Sequence, residues 1–231
     1  MYYYDSSYIL FFLLGTGISL LASAYVKLQY SKYKKIQVSS GMTGSDLVAW
    51  FIRNKNIQLG VRVVNKPLAD NYDPRNETVT LSREVATIPS IASVAITAHE
   101  LGHVMQRHSN YPLFKLRSAL VPVTNIGSNL GYWLMFIGLV LNFFDLALIG
   151  LLFFSFSFLF VLVTLPIEFD ASSRALKLLK ENDLLTSEEL KGAKAVLTAA
   201  ALTYVAAVFA SLLNILYFAM RVFALQNRDD R

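Results

Sequence analysis

Apolar residues dominate four separate stretches of the chain: Tyr8 to about Val26, about Ala119 to Leu141, about Leu146 to Leu165, and about Ala195 to Val222. Each is close to the ~20 residues that a helix needs to cross the hydrocarbon core of a bilayer, so the pattern predicts four transmembrane helices. Two polar regions separate them. In the first, "SGMTGSDLVAWFIRNKNI" carries Thr43 or Ser45 as a cap and Leu47, Val48, Phe51 and Ile52 at helical spacing, which predicts a short amphipathic helix. "VRVVN" and "ETVTLS" follow, with Val79 and Leu81 alternating with Thr78, Thr80 and Ser82. They read as two or three strands separated by the turn-rich "NYDPRN". "IPSIASVAITAHELGHVMQRH" begins on Pro89 and Ser90 and then runs free of proline, as a helix does. In the second polar region, Pro166 sits where a first helical turn tolerates it and "IEFDASSRALKLLKEN" continues as a helix. "TSEE", Thr186 to Glu189, is a capping box that starts another helix, leading into the fourth apolar stretch.

Charge orients this pattern. The seven residues before the first apolar stretch hold no Lys or Arg, whereas Lys27, Lys32, Lys34 and Lys35 follow it. That order is the reverse of a secretory signal and predicts an uncleaved anchor, despite the small residues of "LLASA". Residues 27 to 117 hold thirteen Lys and Arg, which places the N-terminus outside and this region in the cytoplasm. The second and third spans then form a hairpin whose outer turn, "NFFD" at 142 to 145, carries no positive charge. Residues 166 to 194, with five Lys and Arg, return to the same side. Arg221, Arg228 and Arg231 fall outside and fit the rule poorly, so charge does not by itself require a complete fourth crossing.

Composition adds exclusions. The net charge is +5, but the basic residues flank membrane segments and are not interleaved with exposed aromatics, which indicates anionic lipid and not nucleic acid as partner. There is no cysteine, so any metal must be held by His, Asp or Glu.

All three histidines lie in the ten residues from His99 to His108. On a helix His99 and His103 project from nearly the same face, about 6 Å apart along the axis, a spacing that suits two imidazoles on one zinc ion. Glu100 stands one step around, where a carboxylate can take the proton of a zinc-bound water and hand it to a leaving amine. With three His and seven Glu, the pattern H-E-x-x-H arises by chance in about one such chain per thousand. His108 lies about 140° further around and should point away. A third ligand must be a carboxylate from elsewhere. Glu168 is the first choice and Asp170 the main rival, whereas Glu181, Glu188 and Glu189 sit among lysines near helix ends, as a solvated face does. The 65 residues from His103 to Glu168 are explained by an inserted hairpin, since an even number of crossings returns the chain to its starting side.

These residues carry a resemblance. Through "MYYYD", "NYDPRNETVTLS", "AITAHELGHVMQ", "YPLFKLRSALVPVTNIGS", "LPIEFDASSRAL" and "ALTYVAA", the chain resembles the neutral zinc metallopeptidases, small bacterial membrane peptidases. More loosely it is similar to the gluzincins that include the prenyl-protein protease and the heat-shock-induced membrane protease. The resemblance implies His99 and His103 as ligands of one Zn2+ per chain, Glu100 as general base and Glu168 as third ligand. Where the looser relatives place an Asp behind a ligand histidine, this chain has Ser172. The resemblance also implies that "TVTLS" is the edge strand of the cleft, able to add an extended peptide to the sheet. Tyr204, Tyr72 or Arg174 could stabilise an oxyanion, with no choice among them.

The expected protein is a mainly α membrane protein with about four transmembrane helices and a small α+β zincin-like catalytic domain. Its parts are a membrane anchor (1–30), a cytosolic catalytic region with strand segments and the HExxH helix (31–118), a transmembrane hairpin (119–165), cytosolic helices with the third metal ligand (166–194), and a last transmembrane helix with a short tail (195–231). It would be a multi-pass protein of the cell membrane that hydrolyses membrane or membrane-proximal proteins on the cytoplasmic face. A catalytically silent scaffold with the same fold should have lost Glu100 or a ligand, and neither is lost. Asn125, Ser128 and Asn129 in the second span either line a water-filled entrance or pack against a helix.

Overall fold

A computed structural model describes residues 6–229 of the chain. "MYYYD" and Arg231, part of the resemblance and of the charge pattern, lie outside the described residues, as does the side chain of Arg228. Among the described residues, seven helices and three strands follow in order: α1 (Ser6–Tyr33), α2 (Gly44–Lys55), β1 (Gly60–Val64), β2 (Asn71–Asp73), β3 (Thr78–Ser82), α3 (Arg83–Thr87), α4 (Ile91–His108), α5 (Pro112–Val140), α6 (Phe144–Glu181) and α7 (Ser187–Asp229). Four of them, α1, α5, α6 and α7, are long and apolar enough to cross a membrane. The protein is mainly α, a membrane protein with a small three-stranded sheet.

The described chain forms two compact units. The first comprises the residues up to Ala22, Lys115–Pro166 and the residues from Thr203 on. Its small interior gathers Met135, Ala147, Leu151, Val222 and Leu225. A side chain at Gly150 would fall on the backbone of Met135, so α5 and α6 meet there main chain to main chain. Hydroxyls of this unit bond their own helix: Ser155 donates to the Leu151 carbonyl (2.8 Å) and Thr164 to that of Phe160 (2.7 Å). Ser128 donates to the carbonyl of Thr124 (2.5 Å) and Asn129 to that of Asn125 (3.3 Å), so these two donors are satisfied within α5.

The second unit comprises Ser23–Phe114 and Ile167–Leu202. Helix α2 starts on the expected cap: Thr43 Oγ1 accepts from the Asp46 amide (3.1 Å) and Asp46 Oδ2 from that of Thr43 (2.9 Å). Leu47, Val48 and Phe51 are fully buried, as their spacing predicts. The capping box at Thr186 also forms, and Glu189 reaches further, its second oxygen accepting from the Ser39 amide (2.6 Å).

Three expectations change. "NYDPRN" is not wholly a turn: Asn71, Tyr72 and Asp73 form β2 and only the residues after them turn. Pairing supplies the ladder bonds that local turn propensity does not weigh. "TVTLS" is not an edge strand. It is the central strand, parallel to β1 (Gly60 opposite Thr78 through Val64 opposite Ser82) and antiparallel to β2 (Tyr72 opposite Val79). Both its edges are occupied, so an extended peptide can add to this sheet only at β1 or β2. Finally, Pro166 opens no new helix. Helix α6 runs through it for 38 residues. Proline removes the amide that would bond the Leu162 carbonyl and leaves the rest of the ladder to continue, a loss that long membrane helices tolerate.

Candidate metal centre

Helix α4 begins at Ser90, whose Oγ accepts from the Ser93 amide (3.1 Å), and its apolar face is sealed against α2, α3 and the sheet. That burial fixes the rotation of the helix, so His99 and His103 emerge side by side, ring centres 4.8 Å apart and nearly perpendicular. The segment of α6 after Pro166 brings Glu168 against them. A Cβ at Gly102 would fall on the carbonyl oxygen of Ala171, so the glycine is what lets the two helices approach at this level.

Both Nε2 atoms face one carboxylate oxygen: Glu168 Oε2 lies 3.1 Å from His99 Nε2 and 3.5 Å from His103 Nε2. The three ligand atoms lie within 4.8 Å of one another, and His99, His103 and Glu168 could hold a metal ion. The donor set fits zinc. Bonds of ~2.0–2.1 Å in a tetrahedral site put neighbouring ligand atoms roughly 3.3 Å apart, close to both distances, and three protein ligands leave one position open. The other ring nitrogens are engaged: His99 Nδ1 lies 3.2 Å from Ser172 Oγ, and His103 Nδ1 lies 2.9 Å from Gln106 Oε1. Ser172 thus stands beside a histidine of the cluster, where the looser relatives place their aspartate.

Glu100 is buried beside the cluster. Burial pushes its carboxyl up from the ordinary range, partly opposed by the neighbouring imidazoles. For His103 burial disfavours the charged form, but the bond to Glu168 and the charges of Glu100 and Glu168 prevail and move it up.

The remaining candidates are placed elsewhere. Asp170 does not join the cluster; its Oδ2 accepts from Gln106 Nε2 (2.8 Å) and Arg174 Nε (2.6 Å). His108 faces Glu77 (3.3 Å), away from the other two histidines. The Tyr72 hydroxyl donates to Glu77, and burial together with that carboxylate raises its pKa, so this proton is already committed. Arg174 also donates to Ser109 Oγ (3.2 Å), and Tyr204 belongs to the first unit. Sequence reasoning missed Gln106. Its signal was the spacing of three from His103, which puts both on one helical face.

The fold and this cluster together define a class: a mainly α membrane protein with a His-His-Glu group on two packed helices. A family model described as "Putative neutral zinc metallopeptidase" matches residues 8–223, and the chain belongs to that family. It is 37% identical over 215 residues, 93% of this chain and 95% of the relative, to the "Putative membrane protease YugP" of Bacillus subtilis (strain 168). No solved structure matches the chain.

Proposed function

We propose that the chain is a membrane-embedded zinc endopeptidase that cleaves membrane or membrane-proximal proteins, with one Zn2+ held by His99, His103 and Glu168 as in gluzincins. The observation that carries the reading is the convergence of both Nε2 atoms on the Glu168 carboxylate, with Glu100 buried on the same helix. Family membership and the printed name of the relative support it. The distribution of Lys and Arg supports a site at the cytoplasmic face of the cell membrane.

Zinc, when bound, supplies Lewis acidity toward a carbonyl and lowers the pKa of water. The chain supplies the proton traffic. Glu100 accepts the proton of the attacking water as the new C–O bond forms, and returns it to the amide nitrogen as the C–N bond breaks. Burial strengthens its interaction with the neighbouring imidazoles, since little bulk water screens them.

The test is to purify the full chain in detergent, measure bound zinc, and follow cleavage of an unfolded protein with and without Glu100→Gln. The expected result is about one zinc per chain in both proteins and a loss of roughly 10²–10⁴-fold in rate for the variant. Zinc without Glu100-dependent cleavage would refute the peptidase, and a protein that takes up no zinc would refute the metal centre.

A further inference from the structure

We infer that Gln106, held in one orientation by Ile167, Asp170 and Arg174, fixes which ring nitrogen of His103 carries the proton and so presents Nε2 to the metal, a device that His99 lacks. The inference rests on the reading of His103 as a zinc ligand.

The logic is one of donors and acceptors. Gln106 is fully buried, and both ends of its amide are engaged. Nε2 lies 2.7 Å from the Ile167 carbonyl oxygen and 2.8 Å from Asp170 Oδ2. A carbonyl oxygen can only accept. Asp170 Oδ2 already accepts from Arg174 Nε (2.6 Å), and a guanidinium can only donate. The opposite orientation of the amide would set its oxygen against two acceptors and leave the buried Ile167 carbonyl without this donor. The NH2 group therefore faces Ile167 and Asp170, and Oε1 faces His103 Nδ1 at 2.9 Å. That oxygen has no proton to give, so Nδ1 must be the N–H. In a neutral imidazole the lone pair is then on Nε2, the atom turned toward Glu168.

His99 has no such constraint. Its Nδ1 meets Ser172 Oγ at 3.2 Å, and a hydroxyl can donate or accept, so this contact selects neither tautomer. The two histidines, alike in the motif, are therefore prepared unequally. The device also ties together the two helices that carry the ligands: α4 contributes His103 and Gln106, and α6 contributes Glu168, Asp170 and Arg174. Arg174 is itself anchored by Ser109 Oγ (3.2 Å) and lies over the Tyr111 ring (5.7 Å). Gln106 is thus a positioning residue, acting through His103.

The test measures zinc affinity of the full chain in detergent by competition with a chromophoric chelator, with thermal unfolding recorded alongside. Gln106→Met keeps the length and removes the polar ends; affinity should fall about 10–100-fold, with a smaller fall for Ser172→Ala. Gln106→Glu keeps an oxygen for His103 but turns an oxygen toward Asp170, and should also weaken binding. Adding Asp170→Asn removes the negative charge set against the new carboxylate, so Q106E/D170N should recover part of the affinity, a non-additive result that loss of packing would not produce. Wild-type affinity in a folded Gln106→Met protein, a loss in Ser172→Ala equal to or larger than that in Gln106→Met, or additive losses in the double variant would each overturn the inference. The Q106E/D170N cycle decides should Gln106→Met not fold. Absence of zinc from the wild-type chain would instead refute the metal centre itself.

Discussion

The two units place opposite kinds of side chain on their surfaces and in their interiors. In the first, large apolar residues are exposed, among them Leu21 (73%), Ile126 (69%) and Leu152 (61%), and the interior is a small cluster around Met135 and Ala147. In the second, Leu47, Phe51, Leu81 and Leu101 are fully buried, and the buried set also includes Glu100, His103, Gln106 and Glu168. The difference follows from the solvent each surface meets. Lipid gives apolar side chains no reason to leave it, so the first unit is held by close main-chain approach at glycines and by hydroxyls bonded to their own helix. Water drives apolar residues of the second unit inward, and buried polar groups such as Gln106 and Glu168 persist because they are paired.

The largest effect that would sharpen this contrast is at the cluster. On the proposed reading, Glu168→Ala should reduce zinc content of the purified protein to less than about a tenth, since two imidazoles alone make a poor site. Full zinc content would exclude Glu168 as a ligand. Next, two exposed positions should carry unequal cost. Leu152→Lys places a charge on the lipid-facing surface and should cost about 2.5–3.5 kcal/mol of membrane insertion, read as the inserted fraction in a glycosylation-reporter assay. Val61→Lys, on the exposed strand β1, should change unfolding stability by no more than about 0.5 kcal/mol. Similar costs at both positions would mean that the two surfaces face the same solvent.

Smaller effects probe the close approaches. Gly150→Ala should destabilise the protein in detergent by about 1–3 kcal/mol and leave zinc affinity unchanged, because the atoms nearest the added Cβ belong to Met135 of the first unit. Gly102→Ala should cost a similar amount and weaken zinc binding as well, because Ala171 lies between Glu168 and Ser172 in α6. Thermal unfolding and chelator competition on both variants would separate them. The smallest effect concerns the α2 cap. Thr43→Ala should cost about 1 kcal/mol at neutral pH. The bonds from Thr43 hold the Asp46 carboxyl below its ordinary value. The cap's contribution from ionised Asp46 is therefore complete above about pH 4, its unfolded value, and is lost as pH falls through the lowered folded value. The gap between wild type and Thr43→Ala in chemical unfolding should narrow at pH 3.

Much of the site was legible because helical periodicity is local: His99, Glu100 and His103 follow from a spacing of four, and their helix from Pro89 and Ser90. Glu168 was the first choice over Asp170 on the expectation of a hairpin, and the folded chain brings its carboxylate against the two imidazoles. Sequence reasoning failed where pairing or packing overrode local preference. Asn71 and Asp73 are turn formers that became strand through Thr78 and Thr80, and "TVTLS" looked like an edge until β1 and β2 closed both its sides. Gln106 looked ordinary, since its type alone does not signal that Asp170 will stand opposite.

Four apolar helices and an HExxH face on one helix could be read from the amino-acid order alone, because these depend on segment length and a 3.6-residue period. Which carboxylate meets the two imidazoles, which strand lies in the centre of the sheet and which way the Gln106 amide points required the folded chain. The first and last are contacts between segments some 60 residues apart and depend on how two helices approach at a glycine, and the second depends on which strands pair, so none is set by the local pattern of one segment.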